Sequence, residues 1–364
     1  MGVKSVRNLN LPRLFVAGIC AAALCASLAA CGSSTAGSTK STATSSSGSK
    51  PAAKTNVSIG YASPIAVQPG QQLIADGLQN GAKSEGWTSA VLDANLSPDK
   101  QLANVQTFLT QGKNALAAWS LDPGAVGGAY TQANAKGIPV IGVNSVGAGI
   151  NTNIIWELFH CAPNDVHTAL AQYVAERIPH AKVLMIGPPP VPSLVDGDNC
   201  FKRAAKAAGL TVLTQKDNPN SDAANATPIA SALLTKYPEA QVIWNFNDST
   251  ALGASAAVIA AHKPIWSGKK KGIMIIGGNA DPDAIEAIKQ GRLSLTVDDQ
   301  PAATGWAIVK VLAMHFADGV PLAKLPKEIV LENPIVDLTN MDQFVDPGQR
   351  KYTLDNLPIK STTP

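Results

Sequence analysis

From residue 56 onward the chain alternates short apolar runs with longer amphipathic ones, and this alternation restricts the possible fold more than any other feature. A strand buried on both faces needs an unbroken apolar run, whereas a covering helix needs only an apolar stripe. Val57 to Tyr61 predicts a strand, and Gln71 to Glu85 a helix with Leu73, Ile74, Gly77, Leu78 and Ala82 at helical spacing. Ala90 to Asp93 predicts a strand and Asp99 to Gln111 a helix. Ala115 to Trp119 is again a strand, Gly124 to Lys136 a helix and Ile138 to Val143 a strand. Repeated βα steps over so short a stretch predict a parallel sheet covered on both faces.

The pattern restarts after residue 150. Helices are predicted at Asn164 to Arg177, around Cys200 to Ala208, at Ala223 to Lys236, Thr250 to Ala261, Pro282 to Lys289 and Ala302 to Phe316. Strands are predicted at Lys182 to Ile186, Thr211 to Leu213, Val242 to Phe246, Gly272 to Ile276, Leu293 to Val297 and Glu328 to Leu331. Two α/β units in series fit the roughly 310 residues available. Residues 341 to 364 show no period and are expected to form an exposed tail.

The segment before residue 56 has a different character. Lys4, Arg7 and Arg13 precede an apolar stretch from Leu14 to Ala26, and Leu28-Ala29-Ala30-Cys31-Gly32 closes it. This is the layout of a secretory signal, and its end resembles the lipobox of bacterial lipoproteins, in which the final cysteine takes a diacylglycerol. The apolar run is short for a bilayer span, which needs about 20 residues. An ordinary cleaved signal, with Cys31 incidental, is the plainer alternative. Residues 1–30 are therefore read as a lipoprotein signal and 31–55, almost all Ser, Thr, Gly, Ala, Lys and Pro, as a flexible tether. The expected location is the outer face of the cell membrane.

Three of the 29 basic residues lie in the signal, so the remainder carries 26 bases against 26 acids. Nothing in that balance suggests nucleic acid, and Lys269-Lys270-Lys271 reads as a solvated loop cluster. Cys20, Cys25 and Cys31 lie in or at the signal, and only Cys161 and Cys200 remain in the folded part. In an exported protein two cysteines suggest one disulfide, with two buried free thiols as the alternative.

Open parallel sheets bind ligands at the carboxyl ends of their strands. The residues found there are Ser63, Asn95, Ser120, Asp122, Asn144, Ser145, Gly187 with three prolines, Asn245 to Asp248, Asn279 to Asp281 and Asp298 to Gln300. No nucleophile elbow, phosphate loop or dinucleotide fingerprint accompanies them, and the five histidines are scattered. No enzyme, metal site or cofactor is therefore expected. Asn, Asp, Ser and Gln both give and accept hydrogen bonds, which suits a small neutral polar solute. The same residues are also the ordinary choices for helix caps and loops.

The order of motifs resembles the ribose-type periplasmic sugar-binding proteins of ABC transporters. Asp93-Ala-Asn-Leu-Ser-Pro-Asp-Lys-Gln-Leu102 resembles the family's second strand and the turn into its next helix, and Gly137-Ile-Pro-Val-Ile141 its fourth strand. Asn247-Asp-Ser-Thr-Ala-Leu-Gly253 resembles a family Asn-Asp-x-x-Ala-Leu-Gly run. Gly277 to Ile285, Ile288 to Leu293 and Gln300-Pro301 match the closing segment. The family's repressor branch begins with a DNA-reading helix pair, and this chain has a signal there instead.

The resemblance implies a type I periplasmic-binding-protein fold: two doubly wound parallel-sheet lobes joined by three hinge crossings, with a solute between them. The N-terminal lobe is expected at 56–147 with 300–327, and the C-terminal lobe at 148–299 with 328–340. The implied ligand-binding residues are Ser63, Gln71, Ser120, Asn144, Ser145, Asn247, Asn279 and Asp299. The implied partners are a sugar-like solute, an ABC permease and, through lipid on Cys31, the membrane.

Several positions depart from the family pattern. Asn144-Ser145 stand where many members have Asp-Arg, Asn279 where an Asp is usual and Asp299 where a Gln is common. Gly70 and Gln71 occupy the places of stacking aromatics, and Val195 lies near the place of a clamping Arg. These losses argue against ribose itself and leave another sugar, a polyol or a different neutral solute. Trp119, Trp156 and Trp244 are candidate replacements for the stacking surface, with Trp244 the one best explained by core burial. The expected role is solute delivery to an importer. The alternatives are a receptor presenting its ligand to a membrane sensor and an exported α/β enzyme.

Overall fold

The computed structural model describes residues 56–268 and 270–364. The expected signal, the expected lipidation site at Cys31 and the whole of the expected tether lie outside them. The first sheet begins with Ser58–Ser63 (β1), Thr88–Asp93 (β2), Ala115–Ala118 (β3), Val140–Val143 (β4) and Thr152–Trp156 (β5). Between these strands run Pro69–Ser84 (α1), Pro98–Thr110 (α2) and Pro123–Ala135 (α3). The helices start where local chemistry dictates. Ser97 caps α2 by accepting from Lys100 N, and Asp122 caps α3 by accepting from Gly124 N at 2.8 Å. All three carry Pro in the first turn, where the missing N–H costs nothing.

Short Glu157–His160 (α4) and then Val166–Arg177 (α5) lead to the second sheet. Its strands are Lys182–Gly187 (β6), Thr211–Asp217 (β7), Val242–Asn245 (β8), Met274–Gly278 (β9) and Leu295–Val297 (β10). Pro192–Ala207 (α6), Ala223–Lys236 (α7), Asp248–Ala260 (α8) and Pro282–Lys289 (α9) lie between them. Pro301–Phe316 (α10) then returns to pack on α1. The last strands are Glu328–Leu331 (β11), Ile335–Asp337 (β12) and Ile359–Thr363 (β13).

The first sheet has the order β13-β11-β5-β4-β3-β1-β2 and the second β12-β10-β9-β8-β6-β7. Both are parallel except for the antiparallel edges β13 on β11 and β12 on β10. Each therefore has one reversal of strand order, between β1 and β3 and between β6 and β8. Two α/β lobes of the expected kind result.

The lobe boundaries differ from those read in the sequence. β5 pairs in parallel with β4, so the first lobe runs on through Trp156 instead of ending at 147. β11, expected with 328–340 in the second lobe, pairs with β5 of the first, Glu328 facing Asn153. Only β12 from that stretch joins the second sheet. Strand partnership is decided by which sheet edge is free, and an apolar run carries no label for one edge over another.

The expected crossings lie between β5 and α5, between β10 and α10, and between β11 and β12. A fourth follows. Residues 338–358, of which 341 onward were expected to form an exposed tail, recross the hinge and lead into β13 on the first sheet. Arg350 of this strap bonds Asp298 and Gln300 at the second crossing, and Tyr352 donates to Gln300 Oε1 at 2.8 Å. β13 is an exposed edge strand rich in Lys, Ser and Thr, so it has no apolar period to read.

Two glycines allow the closest helix contact. A Cβ on Gly77 of α1 would stand 2.1 Å from Ala302 O, and one on Gly305 of α10 would stand 2.2 Å from Leu78 N. A disulfide joins Cys161, at the left-handed end of α4, to Cys200 of α6, with Cα atoms 5.5 Å apart. His167 is fully buried, its Nε2 2.7 Å from Leu158 O, and burial lowers its pKa to about 4.

Candidate ligand-binding cleft

The two reversals of strand order face each other, and the loops leaving β1, β3, β6 and β8 meet around one cleft. It holds about 600 Å³ of space not filled by atoms, counting the part open to solvent.

One wall is aromatic. Trp119 leaves the end of β3 and Trp156 closes β5. Their rings meet edge to face at 5.1 Å, and Phe159 stacks on Trp156 at 5.8 Å. Phe246, Leu96 and Leu194 extend the apolar surface. Trp244 does not join it. This ring stacks on Phe201 at 5.1 Å inside the second lobe, because β8 turns it into the core.

The other wall is polar. Gln71 Oε1 accepts from Tyr61 Oη at 2.8 Å and from Ser63 Oγ at 3.3 Å, which leaves its Nε2 as the donor for the cleft. Ser63 thus stands behind Gln71 and orients it. Asn247 caps α8 by accepting from Thr250 N at 2.9 Å, and its Nδ2 donates to Ser221 Oγ at 3.0 Å. Asn279 sits at φ 105°, a left-handed conformation held by its N–H donating to Val297 O at 2.8 Å. Asp299 is 1% exposed, and its Oδ1 has no hydrogen-bond partner. Burial first, then the charges of Asp298 and Asp281, push its carboxyl well above the ordinary range.

The lobes are bridged across this cleft. Gln68, just before α1, donates through Nε2 to Ser221 O at 2.6 Å and Ser221 Oγ at 2.8 Å. Trp119 Nε1 donates to Ser193 Oγ at 3.0 Å. Both contacts join a residue of the first lobe to one of the second.

A family model described as a periplasmic binding protein domain matches residues 59–319. The chain belongs to that family. Among curated proteins, this periplasmic binding protein is 28% identical over 262 residues to the ribose import binding protein of Salmonella typhimurium, covering 71% of this chain and 84% of that one. It is 27% identical over 257 residues to the ribose import binding protein of Bacillus subtilis, covering 69% and 79%. Among solved structures it resembles a Caulobacter myo-inositol binding protein with bound myo-inositol, with a TM-score of 0.70, 22% identity and 81% and 97% coverage. A solute-binding protein from Actinobacillus succinogenes with bound D-allose gives a TM-score of 0.68, 18% identity and 79% and 100% coverage. At such identities the structures speak for the fold.

Within this periplasmic binding protein, the structure brings Gln71, Asn247, Asn279 and Asp299 together on the cleft and leaves four other expected residues off its surface. Ser63 is one. Ser120, Asn144 and Ser145 line a neighbouring recess with Ser193 and Asp196, beyond Phe159. Their side chains are spent on the strand ends. Asn144 Oδ1 accepts from Trp156 N at 2.8 Å, Ser145 Oγ accepts from Ser120 N at 2.7 Å, and Ser120 Oγ lies 3.1 Å from Tyr130 Oη. Sequence reading missed Gln68, Ser221, Phe159 and Phe246. Gln68 precedes the proline that opens α1, a position near the end of β1 that offered a signal. Ser221 lies in an irregular segment and Phe159 in the single turn of α4, and neither offered one.

Proposed function

We propose that this periplasmic binding protein is the solute-binding component of an ABC importer, fastened outside the cell by lipid on Cys31. Its lobes close on a small polar solute with a sugar-like or polyol frame and then dock on a permease. The observation that carries this reading is the cleft at both strand-order reversals, walled by rings on one side and by Gln71, Asn247 and Asn279 on the other. Ring faces pack against the apolar side of a hydroxylated ring, and carboxamides pair with its hydroxyls. The ribose importer relatives and the myo-inositol and D-allose complexes support the same class of guest.

Binding here is conformational, with no covalent step. The Gln68–Ser221 and Trp119–Ser193 hydrogen bonds form only when the lobes meet, so they contribute to closure but not to opening. A guest that touches both walls adds to the closed state alone and shifts the hinge toward it. The test is a thermal-shift screen of sugars, polyols and related metabolites. A ligand at a hundred times its Kd stabilises the folded state by about 2.7 kcal/mol and raises the midpoint. A midpoint that no such solute moves refutes the reading.

A further inference from the structure

Resting on that solute-binding reading, we infer that the guest carries a protonated amine seated at Asp299, on a frame whose apolar face lies against Trp119, Trp156 and Phe159. This departs from the uncharged guest expected from the sequence, and the charge balance of the cleft is the reason. Asp299 is the one acidic or basic side chain among the described residues that line it. It is almost wholly buried, and its Oδ1 accepts from nothing within the protein. An unpaired carboxylate oxygen is costly to bury, so a cleft that keeps one calls for a donor from the guest.

The surroundings decide which kind of donor. Asp281 lies directly behind Asn279, which donates to its Oδ2 at 3.5 Å, while Asp281 Oδ1 is also unpartnered. Asp248, deeper still, accepts from Asp281 N at 2.8 Å and Thr296 Oγ1 at 2.7 Å. Asp298 alone has a cation, since Arg350 holds it from the strap side. No Lys, Arg or His among the described lining residues offsets Asp299. A hydroxyl can satisfy one lone pair but brings no cation to a cluster in which burial raises the Asp299, Asp248 and Asp281 carboxyls. An ammonium supplies up to three donors together with the missing charge. The rings opposite favour the same choice, because aromatic faces are the negative side of the ring and attract cations. An anionic guest meets repulsion from both walls. A divalent metal is a poor alternative, because among the described residues no group of three or more His, Cys, Asp or Glu is placed to hold one.

The experiment compares matched pairs on the purified protein: D-glucosamine against D-glucose, D-galactosamine against D-galactose, and scyllo-inosamine against scyllo-inositol. A wider set of hydroxylated amines and their uncharged counterparts accompanies them. Melting shifts rank the panel, and calorimetry gives Kd for the hits. The amine member of the best pair is expected to bind at least tenfold more tightly than its uncharged partner. Asp299→Asn is expected to erase that preference, so that the amine and its uncharged partner bind within threefold of each other. The same variant is expected to melt higher than the parent without ligand, because it removes an uncompensated buried acid, and this shows that it folds. If the hits are all uncharged, the amine inference falls while the solute-binding reading stands. If no member of either kind binds, both fall. An amine preference that survives Asp299→Asn removes Asp299 from the role.

Discussion

Arg350→Ala tests whether the C-terminal strap is part of the fold or an accessory to it. The guanidinium donates to Asp298 through both Nη atoms, to Gln300 Oε1 at 2.7 Å and, through Nε, to Val345 O at 2.9 Å. The Arg350 and Asp298 side chains are only 11% and 3% exposed, so solvent screens the pair little. Burial keeps the Asp298 carboxyl above its ordinary range even with the arginine in place. Asp298 in turn raises the Arg350 guanidinium against its own desolvation, so attraction and desolvation roughly offset and the pair is little net gain over a neutral one. Removing one partner is a different matter, because the other charge then stays buried alone. The expected loss is about 3–5 kcal/mol, read as the change in unfolding free energy from urea titration at neutral pH. The double variant Asp298→Leu with Arg350→Met is expected to recover most of that loss, since apolar residues of similar size carry no desolvation cost. A single-variant loss below about 1 kcal/mol, the range of exposed pairs, refutes the argument. So does a double variant as unstable as the single one.

Three further outcomes follow from other parts of the structure. Gly77→Ala is expected to cost about 3 kcal/mol, at the upper end for overpacking, because its Cβ meets the backbone oxygen of Ala302 at 2.1 Å; an unchanged melting temperature contradicts the α1–α10 contact. Asp198 accepts from Gln215 Nε2 at 2.7 Å, its Oδ1 is unpartnered, and burial raises its pKa to about 7. The native state therefore holds a proton that the unfolded chain releases above about pH 4. Its stability contribution is complete below that pH and is lost as pH rises to about 7, and Asp198→Asn is expected to make the pH dependence shallower, by up to about 4 kcal/mol between pH 4 and 8. Equal slopes in variant and parent refute this. Reducing the Cys161–Cys200 disulfide, with a sequence separation of 39, is expected to cost about 4 kcal/mol by the loop-entropy relation; non-reducing peptide mapping and urea midpoints with and without reductant check it, and two free thiols before reduction refute it.

The sequence by itself determined most of the elements, because those depend on neighbours within a few residues, although β5, α4, β12, β13 and the first half of α6 were not read in it. The period of two α/β units and the strand-end positions of Asn247, Asn279 and Asp299 were legible in this way. The motif order also carried the two-lobed fold. Only the tertiary structure decided which sheet took β5 and β11, and that the C-terminal stretch recrosses the hinge to become β13. It also decided which polar residues reach the cleft. Asn144 and Asn247 look alike in sequence, each at a strand end, yet one is turned to Trp156 N and the other to the cleft. Such choices rest on free sheet edges and on partners far along the chain, such as Ser221 for Gln68, and no local pattern encodes them.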